Sequence, residues 1–214
     1  MDFGRMFSSW KSVLLSPKTA LTVEAGRDNV SLLDGAIPFF IAAVILAIFT
    51  FIGYMIGGIF NAAGSSSATG AAMIFGVGLL GGAIFAIVTL ALSFVLSFLG
   101  TFVIWIISLI LGGRASFTKL YYVSSTFMVP LQIIAAVISI IPCVGSVVAL
   151  AGWIYSLTLL AIALKRLYGF DNTKAGIVIA IPLAIIVLIA IIAAVILGAA
   201  LMSMVSAFSS VKSV

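Results

Sequence analysis

The stretch AIPLAIIVLIAIIAAVILGAAL, residues 180–201, decides the fold class of this protein. It contains no charged residue, and apolar side chains recur on every face that a helix would present. About 20 apolar residues are enough for a helix to cross the hydrocarbon core of a bilayer. A transmembrane β-strand would instead alternate polar and apolar residues over about ten positions. The stretch therefore predicts a membrane-spanning helix and argues against a β-barrel.

Runs without charge fill most of the chain. Of its 214 residues, 64% are hydrophobic and 7% are charged, which is unlike the composition of a soluble protein. Residues 35–113, 120–164 and 175–211 contain no Asp, Glu, Lys, Arg or His. Each run is long enough for at least one span. We therefore predict an all-α fold, a polytopic transmembrane helical bundle preceded by a short amphipathic N-terminal helix.

The distribution of positive charge predicts the number of spans. Residues 71–112 could form one long span or two short ones. One span there places nine of the ten Lys and Arg residues on one side of the membrane and only Lys212 on the other, whereas two spans divide them five and five. Because Lys and Arg collect on the cytoplasmic side, we predict five spans, a cytoplasmic N-terminus and an external C-terminus. The predicted spans lie near residues 36–60, 83–111, 119–141, 144–166 and 175–204.

Two segments outside these spans also receive predictions. Residues 62–81 include several glycines, which weaken helices, so we predict an external loop or a partly interfacial segment, with a re-entrant half-helix as the alternative. Residues 1–34 are predicted to form a cytoplasmic tail, ahead of a five-span domain at 35–214. The first tail helix is amphipathic, and we predict that it lies flat in the membrane interface, anchored by Phe7 and Trp10. The alternative is that the tail helices pack under the bundle.

Residue types at the helix boundaries carry further signals. Ser16 and Pro17 suit the N-cap and first position of a second tail helix. Gly169 suits the left-handed cap at the end of the fourth span, and Asp171 or Asn172 suits the start of the fifth. These signals predict where the helices begin and end.

No catalytic or metal-binding constellation is predicted. The chain has no histidine and a single cysteine, Cys143, so the usual His and Cys metal clusters cannot be assembled. Its five Asp and Glu residues all lie in the tail or in a loop, so no acid-base pair falls inside a predicted span. The lack of an ionisable residue at membrane depth also argues against proton-coupled transport. We expect a non-enzymatic protein with no catalytic residue, cofactor or metal.

Two short loops carry most of the remaining cations. The stretches LGGRASFTK (111–119) and LKRLYGFDNTK (164–174) place them at the ends of spans. If the loops adjoin, they form a basic cytoplasmic face that attracts anionic headgroups or an acidic protein, at about 1 kcal/mol per cation. The alternative is that the cations only set the topology. The residues predicted for this face are Arg114, Lys119, Lys165, Arg166 and Lys174.

Polar residues within the third predicted span indicate an alternative function. Such residues beside a proline-kinked helix could line the path of a passive channel or transporter for a small solute. Hydrogen bonding between helices is the other interpretation. The candidate pore-lining residues are Gln132, Ser124, Ser125 and Thr126.

Four longer stretches, taken in order and spacing, resemble a known family. They are SWKSVLLSPKTAL (9–21), LGGRASFTKLYYVSSTFMVP (111–130), IIPCVGSVVALAGWIYSLTLLAIAL (140–164) and YGFDNTKAGIVIAIP (168–182). Together they resemble the YIP family, small five-span membrane proteins named for interaction with Ypt and Rab GTPases. The resemblance implies a five-helix bundle with a cytoplasmic N-terminus. Eukaryotic members lie in Golgi and endoplasmic reticulum membranes and are associated with vesicle trafficking.

The chain departs from the eukaryotic pattern before its first span. It lacks the DLYGP motif and a long acidic or proline-rich region, and its short tail resembles a prokaryotic or archaeal-type member. This implies the cell membrane of a prokaryote. We therefore expect membrane organisation or partner recruitment through the basic face. The expected partners are membrane lipid, a cytoplasmic protein and a second copy of the chain, and no nucleic acid.

Overall fold

The structure, a computed structural model, describes residues 3–64, 67–139, 141 and 144–211. These residues form seven α-helices and no strand. Five of the helices are long and apolar enough to cross a membrane, which confirms the predicted helical bundle. Cys143 and Lys212 lie outside the described residues. The helices are α1 (Phe3–Leu15), α2 (Pro17–Ala25), α3 (Leu32–Ala63), α4 (Ala68–Ile110), α5 (Phe117–Ile138), α6 (Val144–Tyr168) and α7 (Asn172–Val211).

Local sequence explains several helix boundaries. Pro17 is the first residue of α2 and Ser16 its N-cap, as predicted, although the Ser16 side chain makes no capping hydrogen bond. Gly169 after α6 has a φ of +66°, the left-handed conformation that glycine adopts at little cost. The Asp171 carboxylate accepts a 2.9 Å hydrogen bond from the Lys174 amide, which caps α7.

Helix α3 begins four residues before the first predicted span. Its N-cap is Ser31, whose hydroxyl accepts a hydrogen bond from the amide of Asp34. The Asp34 carboxylate accepts in turn from the Ser31 amide at 2.9 Å. This reciprocal pair is a capping box, which satisfies two backbone donors at the start of the helix. Residues 32–35, ahead of the predicted span, are therefore part of α3.

The expectation of a loop over residues 62–81 is wrong for residues 68–81, which form the start of α4. The glycines of this segment allow close contact with α3. A Cβ atom on Gly78 would lie 3.1 Å from the Cα of Gly58, and one on Gly82 would lie 2.8 Å from the Cβ of Tyr54. Small residues let membrane helices approach closely, and this packing outweighs the low helix propensity of glycine.

The connections between the helices define two ends of the bundle, and the spans between these ends differ in length. The α4–α5 and α6–α7 connections and the start of α3 lie at one end, here called the tail end; the α5–α6 connection lies at the opposite, far end. Helix α5 has 22 residues and α6 has 25, whereas α4 has 43 and α7 has 40. At about 1.5 Å per residue, α4 is roughly twice as long as the hydrocarbon core is thick. Its extra length lies toward the far end.

Candidate functional site

The two tail helices pack against the side of the bundle. Val13 of α1 and Leu21 of α2 are fully buried in a cluster with Leu120 of α5 and Leu159 of α6. Burying these apolar side chains against α5 and α6 removes them from water or lipid headgroups. The structure therefore packs the tail helices on the bundle, and contact of α1 with the membrane interface stays a prediction. The tail is part of the folded bundle.

The two predicted interfacial anchors face in different directions. The Trp10 side chain is 6% exposed and packs in a cluster with Phe39 of α3 and Tyr121 of α5. Phe7 is 61% exposed, although its ring meets that of Trp10 edge to face at 5.1 Å. Of the two side chains only Phe7 is largely exposed, and a role for either residue at the interface stays a prediction.

A buried carboxylate holds α2 against the rest of the tail end. Glu24 is 4% exposed. Its Oε1 accepts a 2.7 Å hydrogen bond from Ser9 of α1, and its Oε2 accepts a 2.7 Å hydrogen bond from the Tyr122 hydroxyl of α5. The Arg27 guanidinium approaches Oε2 to 2.9 Å. Since buried charges are costly unless paired and hydrogen-bonded, these contacts make the docked position of the tail specific.

Sequence reasoning missed Glu24 because its partners are distant in the chain. A signal was present, since Glu24 follows Leu21 by three residues and precedes Ala25, and all three are buried on one face of α2. Residues three and four apart share a helix face. An acidic residue on the apolar face of a short helix indicates a buried polar contact.

A second hydrogen bond fixes the turn between the tail helices. The Tyr155 hydroxyl of α6 donates to the carbonyl of Leu14 at 3.0 Å. Tyr155 lies thirteen residues before the last residue of α6, or about 20 Å along the helix axis. The α1–α2 hairpin therefore extends along α5 and α6 from the tail end toward the middle of the bundle.

The two cation-bearing loops adjoin at the tail end. The Lys174 ammonium group of α7 donates to the Leu111 carbonyl after α4 at 3.4 Å. Gly113 packs so closely on the last residue of α6 that an added Cβ would lie 2.4 Å from Cδ1 of Tyr168. The Trp105 indole also donates to the Ala115 carbonyl at 3.1 Å, which fastens the α4–α5 loop to α4. These contacts hold the two cation-bearing loops side by side at the tail end.

The five cations are not equivalent. Lys119 lies 3.4 Å from the Asp28 carboxylate at the end of the tail, and the Lys165 ammonium group donates to the side-chain oxygen of Asn172. The ion pair with Asp28 contributes little stability but lowers the charge that Lys119 offers to a partner, and the side chains of both Lys119 and Lys165 are only partly exposed. The remaining cations are exposed and form what we call the basic triad: Arg114, Arg166 and Lys174.

The candidate pore-lining residues do not share one cavity. Ser125 and Thr126 line a polar cavity of about 150 Å³ between α1, α3 and α5. Gln132 lines a separate apolar cavity between α4, α5, α6 and α7. Ser124 is fully buried, and its hydroxyl has no hydrogen-bond partner within the described residues. The described part of the chain therefore does not join these polar groups into a single path.

Comparison with known proteins identifies one family whose profile matches this chain. The profile of the Yip1 domain matches residues 11–195, from the middle of α1 into the second half of α7. Neither the curated proteins nor the solved structures yielded a match. The matched segment includes most of the tail hairpin, both cation-bearing loops, four candidate spans in full and most of the fifth, so this chain belongs to the Yip1 domain family.

Proposed function

We propose that this protein recruits an acidic cytoplasmic protein to the membrane through the basic triad, and that it acts without catalysis. The observation that carries the proposal is the contact between the two loops, in which Lys174 reaches the Leu111 carbonyl and Gly113 packs on Tyr168. Because of these contacts, cations from separate loops present one surface. Complementary charge speeds association and selects partners.

The docked tail supports the same role. Asp28 pairs with Lys119, and Glu24 receives the Tyr122 hydroxyl, so the tail adjoins the basic surface and neutralises part of it. A partner would therefore contact the triad beside the end of α2. The proposal places this surface in the cytoplasm, because the positive-inside rule assigns the cation-rich side there.

The passive-channel alternative has less support. Gln132 and the Ser125–Thr126 pair line different cavities, and the polar one is partly enclosed by the tail helix α1. A permeation path would need both cavities to join. The experiment below includes flux as an outcome, because a channel would conduct whether or not the basic triad is intact.

The test compares proteins captured by chemical crosslinking in native membranes. The variant Arg114→Glu/Arg166→Glu/Lys174→Glu reverses the triad, and Lys11→Glu/Lys18→Glu is the matched control, since both lysines are exposed on the tail hairpin. We expect one specific acidic protein with the wild type and the control, and its loss with the triad variant. Capture that persists after triad reversal would contradict the proposal, as would solute flux through all three purified proteins with no captured partner.

Reversing charges can also invert a membrane protein, so orientation must be measured. A cysteine introduced as Ser8→Cys in α1, in a Cys143→Ser background, reports the side of the tail by its reaction with an impermeant thiol reagent. Binding of the detergent-solubilised protein to a water-soluble, short-chain anionic phospholipid separates headgroup binding from protein binding. If the triad variant loses this lipid binding and no protein partner is captured, the triad belongs to lipid and recruitment of a protein is overturned.

A further inference from the structure

An apolar cavity of about 400 Å³ lies inside the bundle, between α4, α5, α6 and α7. Gln132 is fifteen residues after the start of α5 and Pro182 is ten residues after the start of α7, which places them about 22 and 15 Å from the tail end. The cavity therefore lies at the depth of the hydrocarbon core. Its volume falls within the range of ligand pockets, about 300 to 1,000 Å³.

Gln132 is the polar group that makes this cavity specific. Its side chain lines the cavity and has no hydrogen-bond partner among the described residues. Ser156, which also lines the cavity, is already satisfied because its hydroxyl donates to the Trp153 carbonyl at 2.6 Å. An amide left without a partner in hydrocarbon is costly. The free amide thus indicates a ligand that brings an oxygen atom to an otherwise apolar site.

The surroundings indicate where the ligand comes from. A Cβ atom on Gly100 of α4 or on Gly152 of α6 would meet nothing within 4 Å, so neither helix closes the cavity at these positions. Ile186 of α7, on another wall, is 61% exposed. Apolar cavities exclude water, and one of about 150 Å³ is already large enough to bind a benzene molecule. At this depth the available apolar molecules are the chains of the bilayer.

We propose that this cavity binds one fatty-acyl chain, with the Gln132 amide donating a hydrogen bond to a carboxyl or ester oxygen of that chain. The hydrocarbon part packs between Gly100 and Gly152, where small residues leave room for it. Filling the cavity restores dispersion contacts that its walls would otherwise lack. The site is independent of the basic triad, which lies on the tail-end surface.

The test uses the full-length protein in phosphatidylcholine liposomes and a fatty acid that carries a photoactivatable diazirine. Crosslinked residues are identified by mass spectrometry while the probe is titrated and then competed with unlabelled oleate. We expect saturable, competable labelling of the cavity walls. Residues 195–197 of α7 are exposed to lipid and serve as the internal control, where labelling should rise without saturation. Labelling of the cavity that never saturates would overturn the proposal.

Two variants that fill the cavity from different helices keep the test independent of any one folding defect. Gly152→Leu and Gly100→Leu should each reduce cavity labelling at least fivefold and leave residues 195–197 unchanged. Gel filtration shows which variants are folded. If one variant fails to fold, only the labelling of the folded variant is interpreted. Unchanged cavity labelling in a folded variant would contradict the proposed location.

Gln132→Leu tests the hydrogen bond separately, since it keeps the cavity apolar and removes the donor. Interhelical hydrogen bonds in membranes suggest an effect of about 3- to 30-fold on the apparent affinity for the fatty acid. The same diazirine chain attached to phosphatidylcholine distinguishes a free fatty acid from a lipid as the source. Equal affinity in Gln132→Leu and wild type for both probes would remove Gln132 from the site.

Discussion

The hydroxyl group of Tyr122 in α5 donates a 2.7 Å hydrogen bond to the carboxylate of Glu24 in α2, a residue 98 positions earlier in the chain. This bond ties the N-terminal tail to the helix that follows the first cation-bearing loop. It makes the tail a structural part of the surface proposed for partner binding. The stability and the function of that surface can therefore be tested through tail residues.

Replacing Glu24 with alanine should release the tail helices. The Tyr122 hydroxyl and Ser9 would lose their acceptor, and a buried group without its partner costs about 1 to 3 kcal/mol. Arg27 adds less, since its side chain is 38% exposed. Because the tail helices would open more often, the backbone amides of residues 9–25 should exchange hydrogen faster than in the wild type. Ser8→Ala is the control, because the Ser8 hydroxyl bonds to the Arg5 carbonyl of its own helix, and equal exchange in both variants would refute the docking role.

Tyr155→Phe should loosen the turn of the tail hairpin. The change removes the hydrogen bond to the Leu14 carbonyl and should lower the free energy of unfolding by about 1 kcal/mol. In a Glu24→Ala background the same change should cost much less, because the tail is already released and the two contacts are coupled. The free energies of unfolding of the wild type, the two single variants and the double variant are measured by unfolding in mixed detergent and SDS micelles. Strict additivity would show that the two contacts hold the tail independently.

Gly82→Ala should weaken the α3–α4 pair. The new methyl group would lie 2.8 Å from the Cβ of Tyr54, so the helices must separate, at a cost of about 1 to 3 kcal/mol in unfolding free energy. Gly81→Ala is the matched control, because a Cβ atom there meets nothing within 4 Å. That control should be neutral or slightly stabilising, since alanine favours helix. Similar losses in both variants would show that helix propensity, and not close packing, explains the result.

Gly113→Ala should separate the two cation-bearing loops. The added methyl group overlaps the Tyr168 ring at 2.4 Å, so the segment carrying Arg114 must move away from the end of α6. We expect lower thermal stability together with loss of the crosslinked partner, although no charge is changed. Gly176→Ala, early in α7, faces open space and should leave both measurements unaltered. Partner capture that survives Gly113→Ala would mean that the relative position of the loops is unimportant.

Ser124→Ala should not destabilise the protein. The Ser124 hydroxyl is buried without a hydrogen-bond partner in the described part of the chain, so removing it should leave the unfolding free energy unchanged or raise it by about 1 kcal/mol. Ser125→Ala provides the comparison, because its hydroxyl donates to the Tyr122 carbonyl at 2.7 Å. Clear destabilisation by Ser124→Ala would show that the Ser124 hydroxyl has a polar partner. It would support a role for this residue inside the membrane, such as the predicted pore lining.

The expected loop at 62–81 shows where sequence reasoning stops. Glycine lowers intrinsic helix propensity wherever it occurs, so a segment rich in glycine indicates a loop when it is considered alone. Gly82 instead meets α3 so closely that a larger residue would force the helices to shift, and Gly78 also packs tightly against Gly58. The favourable packing belongs to a pair of helices and cannot be seen in either sequence segment. Trp10 is a similar case, because its burial depends on Phe39 and Tyr121.

Amino-acid sequence alone determined the helical class, the five candidate spans and the helix boundaries at Pro17, Gly169 and Asp171, because hydropathy, helix length and capping depend on neighbouring residues. Tertiary structure decided which of the polar residues meet. It buries Glu24 beneath Tyr122, joins the two cationic loops, and places Gln132 and Ser125 in separate cavities. These outcomes depend on helices that are distant in sequence packing side by side, where the geometry of the pair decides which contacts form.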